Sequence, residues 1–326
     1  MAEITMVEAI DLALGRAMRD DPRVLVLGED VGADGGVFRA TQGLLQQFGP
    51  ERVRDTPLAE AAIAGISVGL AVQGFRPVAE IQFDGFMYPT LDQIANHASR
   101  MRTRTRGRLA CPMVLRAPVG GGIRAPEHHS DSIEAFFAHI PGLRVVMPSS
   151  PKRAYGLLLA AIRDPDPVIF LEPKRLYRSV KEEVPDDGES APLDTCFELR
   201  TGKDLTLVSW GAMITETLAA ADALEQEGIG ATVIDVTTLK PLDAATILRS
   251  VERTGRCVIV HEAPLTGGFG GEIAARIAEH ALLSLLAPVR RIAGYDCVMP
   301  LPQLERAYLP SVERVLAAAH DVMSYR

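Results

Sequence analysis

Cysteine is scarce and scattered. The chain holds four, Cys111, Cys196, Cys257 and Cys297, with no paired spacing, which argues against a disulfide framework and a cysteine-built zinc site and leaves reduced, mostly buried thiols as the expected state. No apolar run approaches the ~20 residues of a membrane span, and the opening Met1-Ala2-Glu3-Ile4-Thr5 lacks the basic and apolar regions of a signal peptide. The expected location is the cytoplasm, away from membranes. Positive charge is in deficit: 34 Lys and Arg against 42 Asp and Glu give a net charge of −8, which disfavours nucleic acid as a partner. A Walker loop, a helical His-Glu-x-x-His, repeats of solenoid period and low-complexity tracts are all missing. One stretch runs against the acidic balance, with Arg100, Arg102, Arg104, Arg106 and Arg108 close together. It reads either as a helix end followed by a solvated loop or as a docking point for an acidic partner surface.

What is present is ample apolar material, 47% of 326 residues, enough for two cores rather than one. Thr5-Met6-Val7-Glu8 fits a capping box opening a helix with Val7, Ile10, Leu14 and Met18 on one face, and Arg23 to Leu27 follows as a buried strand. Further strands are expected at Arg76–Phe83, Met113–Arg116, Leu143–Met147 and Pro167–Leu171, with helices after Glu60, around Thr90 to Met101, and from Pro151 to Arg163. A polar, turn-rich stretch from Lys181 reads as a linker. Beyond it the alternation resumes with strands at Leu205–Val208, Ala231–Ile234 and Cys257–Val260, interleaved helices, and a last helix from Ser311. Such alternation predicts an α/β fold of two doubly wound domains with mostly parallel sheets covered on both faces.

The stretch Asp55-Thr56-Pro57-Leu58-Ala59-Glu60 precedes a run of small apolar residues, so it predicts a buried helix capped by Asp55 or Thr56, with Pro57 in its first turn and one carboxylate near its start. Glu60 either favours the helix dipole while keeping access to water, or is desolvated so that it shares a proton with a ligand nitrogen. Glu29, at the end of the first strand, is either a ligand-binding group or a solvated loop acid. Gly65-Ile66-Ser67-Val68-Gly69 has the pattern of a hydrolase elbow, but it lies inside a continuous helical stretch instead of a strand-to-helix turn. Gly267 to Gly271 fails the dinucleotide fingerprint, because the third glycine position is Ile273. A long glycine-rich loop from Pro118 ends in His128 and His129. Glu127, His128, His129 and Asp131 are too adjacent to wrap one metal ion, and the functional reading is a histidine on a mobile loop that exchanges protons near neutral pH.

Taken together, Gly28-Glu29-Asp30-Val31-Gly32, Gly35-Gly36-Val37-Phe38-Arg39, Asp55 to Glu60, Glu80-Ile81-Gln82-Phe83, His129-Ser130-Asp131-Ser132 and Leu171 to Arg178 resemble one family, the beta subunits of the thiamine-diphosphate-dependent 2-oxo acid dehydrogenases. The likeness runs nearly the whole chain, through Ser250 to Cys257 and Tyr308-Leu309-Pro310. It implies a pyrimidine-binding domain at 1–180, a linker at 181–200 and a transketolase C-terminal domain at 201–326. It also implies that Glu60 bonds the aminopyrimidine of thiamine diphosphate and promotes its imino form, and that Glu29, Leu58, Ala59, Gln82 and Phe86 line the cofactor. Phe83, Phe86 and His129 are implied near the substrate, with His129 handling a proton during reductive acylation of a lipoyl group. Where several relatives carry tyrosine this chain has Phe86, so a hydroxyl hydrogen bond is lost there.

The family's diphosphate and Mg2+ are held by a Gly-Asp-Gly motif, and no Gly-Asp-Gly occurs here. No metal ligand is therefore expected from this chain, and the resemblance implies an alpha subunit that supplies them in an α2β2 assembly. The implied partners are that subunit and a dihydrolipoyl acyltransferase with its lipoyl and subunit-binding domains. The implied reaction is oxidative decarboxylation of a 2-oxo acid. Glu134-Ala135-Phe136-Phe137-Ala138-His139 and Glu172-Pro173-Lys174 look like branched-chain members, whereas Phe86 and Pro126-Glu127 look like pyruvate members. The expectation drawn is a branched-chain acid of the 3-methyl-2-oxobutanoate type, with pyruvate as the alternative. A rival of another class is a noncatalytic module that docks the acyltransferase.

Overall fold

Short buried strands joined by amphipathic helices build two units, described for residues 3–325 in a computed structural model. The first comprises residues up to Val119 together with Phe136–Leu193. Its elements begin with β1 (Glu3–Thr5), α1 (Met6–Asp20), β2 (Val24–Gly28), α2 (Leu44–Phe48), β3 (Val53–Asp55), α3 (Glu60–Val72) and β4 (Arg76–Glu80). They continue with α4 (Leu91–Asn96), α5 (Met101–Arg104), β5 (Val114–Val119), α6 (Glu134–His139, whose first two residues count with the second unit), β6 (Arg144–Val146), α7 (Pro151–Arg163), β7 (Val168–Pro173) and β8 (Lys181–Glu183). The expected capping box is present: the Glu8 carboxylate accepts the Thr5 N–H at 2.7 Å while the Thr5 hydroxyl accepts the Glu8 N–H. Within this unit the strands lie in the order β6-β7-β5-β4-β2-β3, every pair parallel. Residues such as Val26, Leu115, Ile169 and Phe170 are buried, as continuous apolar strands between helical layers must be.

The second unit takes residues from Asp194 onward and also Gly120–Ala135. Its elements are β9 (Phe197–Arg200), β10 (Leu205–Ser209), α8 (Ile214–Gln226), β11 (Ala231–Asp235), β12 (Thr238–Lys240), α9 (Ala244–Thr254), β13 (Cys257–Pro264), α10 (Gly270–His280), β14 (Arg290–Gly294), α11 (Glu305–Tyr308) and α12 (Val312–Met323). The sheet order is β14-β13-β10-β11-β9, parallel except for the edge strand β9. Cys111, Cys196 and Cys257 are buried and Cys297 is exposed, all four as free thiols. Among the described residues no helix is long and apolar enough to cross a membrane.

Three expectations differ from what the chain does. The helix expected around Thr90 to Met101 breaks into α4, a short 3-10 turn and α5, because the Ser99 hydroxyl and the Arg100 guanidinium both donate to the Ala95 carbonyl and compete with the helical ladder. The first part of the stretch expected as a linker, Lys181 to Ala191, is fastened to the first unit. Lys181–Glu183 pairs antiparallel with β1, Asp186 meets Arg19 at 2.6 Å, and the Ala191 N–H reaches the Gly156 carbonyl. Its polarity answers surface arginines and does not signal freedom. Finally, α3 is buried on one side only. Ile63, Ala64, Ser67, Val68 and Ala71 face inward, whereas Ile66 stays 54% exposed and Ala61, Ala62 and Gly69 are uncovered.

Candidate active site

The segment into α3 is shaped by Asp55, though not as a helix cap. Its carboxylate accepts the N–H groups of Gly32 at 2.6 Å and Ala33 at 3.0 Å, fastening the glycine-rich loop after β2. The Thr56 N–H bonds the Gly28 carbonyl, which leaves the helix to begin at Glu60 with Ala59 as an N-cap that offers no side-chain acceptor. Pro57 therefore precedes the helix. Glu60 occupies the first turn, half-buried in this chain, where the helix dipole favours a negative group. Ser67 is fully buried inside α3 and donates to the Ile63 carbonyl, which removes the hydrolase reading.

Around Glu60 the first unit gathers several of the expected residues. Glu29 ends up buried, 6% exposed, with Oε1 bonded to nothing in the chain among the described residues. Burial pushes its carboxyl above the usual range, and the charges of Glu60, Asp30 and Glu80 push it further. Gln82 bridges this group, donating to Asp30 at 3.1 Å and to the Glu29 carbonyl. Phe83 packs edge-on against Phe86 and Phe38, and Leu58 stands 79% exposed. The desolvated acid that the sequence assigned to position 60 is thus most evident at its neighbour Glu29. A buried carboxyl whose affinity for its proton is raised, beside a second, more accessible one, is suited to share hydrogen with a ring nitrogen.

Beneath this cluster lies a network that carried no role in the sequence reading. Arg116 on β5 is 1% exposed and forks onto Glu172, Nε to Oε1 at 2.6 Å and Nη2 to Oε2 at 2.8 Å, while its remaining nitrogen meets Glu80 on β4. The Tyr177 hydroxyl donates to Glu172. Glu80 and Arg116 are register partners on adjacent parallel strands, so strand pairing itself sets the contact. Burial raises the Glu80 carboxyl, and its charge contributes to the shift at Glu29. Lys174 and Asp84 form a second fully buried pair at 2.9 Å. The signal was legible: a charged residue inside a strand covered on both faces has no water to meet and needs a partner.

His129 belongs to the second unit, at the end of a 3-10 turn Glu127–His129 held by its own N–H on the Pro126 carbonyl. It is half-buried, with the exposed His128 ring edge-on at 4.1 Å. Among the described residues no group of three or more His, Cys, Asp or Glu could hold a metal ion. In the same unit Glu134 is buried, accepts the Trp210 indole N–H at 3.2 Å, and has its carboxyl pushed up to about 7, chiefly by burial.

Two family models match the chain, one described as "Transketolase, pyrimidine binding domain" over residues 2–180 and one as "Transketolase, C-terminal domain" over 195–315. Among characterised relatives, the pyruvate dehydrogenase E1 component subunit beta of Bacillus subtilis is 49% identical over 325 residues, covering all of both chains. The proteins of the same name from Staphylococcus epidermidis and Acholeplasma laidlawii are 46% and 48% identical, the latter over 97% of each chain. Among solved structures, a chain titled "Split gene transketolase, inactive beta4 tetramer" superposes with a TM-score of 0.82 at 25% identity, over 99% of each chain.

Proposed function

From the premise that this chain belongs to the beta subunits of the thiamine-diphosphate-dependent 2-oxo acid dehydrogenases, we propose that its complex oxidatively decarboxylates pyruvate, with this chain supplying half of the coenzyme site. The observation that carries the choice of pyruvate is full-length identity near one half with relatives named for that acid. Phe86 and Pro126-Glu127 agree with it. The branched-chain expectation rested on Glu134-Ala135-Phe136-Phe137-Ala138-His139 and on Glu172-Pro173-Lys174, and three of those residues have partners inside the fold: Glu134 bonds Trp210, Glu172 pairs with Arg116, and Lys174 pairs with Asp84.

The residues fit the coenzyme's pyrimidine. The orphaned, buried oxygen of Glu29 and the half-buried carboxylate of Glu60 offer hydrogen-bonding partners for ring and exocyclic nitrogens, with Leu58, Ala59, Gln82 and Phe86 as the surround. When bound, thiamine diphosphate supplies the electron sink for decarboxylation. Glu60 orients the ring and shares a proton with it, Glu29 offers its buried, unpaired oxygen to the ring, and His129 gives or takes a proton at the lipoyl sulfur. In this reading 1–180 is the pyrimidine half, 201–326 the C-terminal domain, and 181–200 joins them. The sequence has no Gly-Asp-Gly motif, so the alpha subunit is assigned the Mg2+ and the diphosphate in an α2β2 assembly.

The uncovered apolar side of α3, with Ile66 at 54% exposure, and Leu58 just before the helix at 79%, support a partner chain. Beside it a groove of about 730 Å³ is lined by Leu25, Leu27, Arg54, Ile63, Ile66 and Leu70. The chain alone is expected to be inactive. Acyl transfer measured from pyruvate and from 3-methyl-2-oxobutanoate, with the alpha subunit and acyltransferase added, tests the assignment. A higher kcat/KM for pyruvate supports it and a higher value for the branched acid overturns it. No turnover of either, with coenzyme bound, would return the noncatalytic assembly module.

A further inference from the structure

The glycine-rich stretch that carries His129 is clamped by two buried carboxylates of its own unit. Glu262 on β13, 8% exposed, accepts the Gly121 N–H and, at 3.3 Å, the Ser132 hydroxyl. Glu305, which opens α11 and is 4% exposed, accepts the N–H of Gly122 at 2.8 Å and of Arg124 at 3.2 Å. The Gly120 N–H closes the base of the loop on the Asp131 carbonyl at 2.8 Å. Successive backbone donors of this kind can hold an anion, and here the anions are the chain's own side chains. The glycines are explained by this approach. A Cβ on Gly120, whose φ is +81°, would stand 2.8 Å from Glu262 Oε1, and one on Gly121 would stand 2.7 Å from the Met299 methyl. Beyond the clamps Ile123 and Arg124 emerge into solvent, and the turn bearing His129 follows.

We propose that Glu262 and Glu305 are positioning residues that fix where the His129 imidazole stands. The proposal rests on the reading of His129 as the residue that handles a proton in lipoyl acylation. The loop is therefore held by design at its glycines and presents its histidine from a fixed base, contrary to the free loop that its composition suggests. A displacement of about 1 Å in a reacting group can cost on the order of 100-fold in rate, so loosening one clamp should be felt at the imidazole.

The test compares Glu305→Ala, Glu305→Gln and His129→Ala in the full chain, alone and reconstituted with its alpha subunit. Three quantities are followed: dye-linked decarboxylation, lipoyl acylation, and tryptic cleavage after Arg124 identified by mass. For Glu305→Ala, lipoyl acylation should fall at least about 10-fold more than dye-linked decarboxylation, with cleavage after Arg124 faster by a similar factor. Glu305→Gln, which keeps a carbonyl oxygen for the Gly122 and Arg124 N–H groups, should recover most of both. Should Glu305→Ala fail to assemble, Glu305→Asp, whose carboxylate is withdrawn by one methylene, should show the same split and faster cleavage. Wild-type cleavage and an undisturbed ratio in the assembled Glu305 variants, beside a defective His129→Ala, would overturn the clamp and leave the histidine's role standing. Wild-type acylation by His129→Ala would instead overturn that role, and the cleavage rates would still decide whether Glu305 holds the loop.

Discussion

Replacing Arg116 by methionine keeps most of the side chain's bulk and removes the cation shared by Glu80 and Glu172. All three residues are at most 3% exposed. Breaking a buried ion pair by removing one partner costs about 3–5 kcal/mol, because the remaining charge has neither water nor counter-ion. In a unit of this size 1 kcal/mol lowers Tm by roughly 2–4 °C, so the expected loss is on the order of 10 °C. The pH dependence has a definite sign. Burial already raises the Glu80 carboxyl, and losing Arg116 raises it further, so the folded state keeps a proton that the unfolded chain releases above about pH 4.3. Stability of the variant must then fall as pH rises above that value and recover toward acid. Scanning calorimetry of the full chain at pH 5.5 and pH 8, for Arg116→Met and for the charge-free triple Glu80→Gln/Arg116→Met/Glu172→Gln, measures this. The triple should regain most of the loss. A deficit below about 1 kcal/mol, or one equal at both pH values with no recovery in the triple, would refute the reasoning.

Glu134 gives a second pH signature: its carboxyl stands at about 7 against an ordinary 4.5, which costs about 3 kcal/mol of stability once both states are ionised. Glu134→Gln should raise Tm at pH 8 and leave it unchanged near pH 4. Because Trp210 is the chain's one tryptophan, its fluorescence should titrate near pH 7 in the wild type and not in the variant; a titration that survives the substitution contradicts the assignment. Ile66→Glu places a charge on the uncovered side of α3 and should weaken association with the alpha subunit by 10-fold or more, about 1.4 kcal/mol, in sedimentation experiments. Unchanged association would move the partner surface elsewhere.

The alternation of strands and helices, the capping box at Thr5 and the mostly parallel character of the two large sheets were legible because period and cap chemistry act locally. Three things were not. Asp55 stands where a helix cap belongs, but its carboxylate is drawn to the N–H groups of Gly32 and Ala33, a contact across 23 positions that no local rule reports. The stretch after Lys181 has a linker's composition, yet its Asp186 meets both Arg16 and Arg19 at the surface. The glycines at 120–122 read as freedom because a glycine needed for close approach and one needed for motion are identical in sequence. At the candidate site, Glu29 and Glu60 were singled out from their place at a strand end and a helix start. Glu262 and Glu305 were not, since a carboxylate bonded to a distant backbone leaves no spacing to recognise.

The claim on which the account turns is that this chain contributes the acid that activates the coenzyme. Turnover of pyruvate by the complex reconstituted with the alpha subunit, compared between wild type and Glu60→Gln at saturating thiamine diphosphate, measures it directly, with sedimentation confirming assembly. The expected result is an intact assembly whose turnover is lower by about 10²–10⁴, the range for losing a positioned proton-transfer group. Wild-type turnover by the assembled Glu60→Gln complex would contradict it.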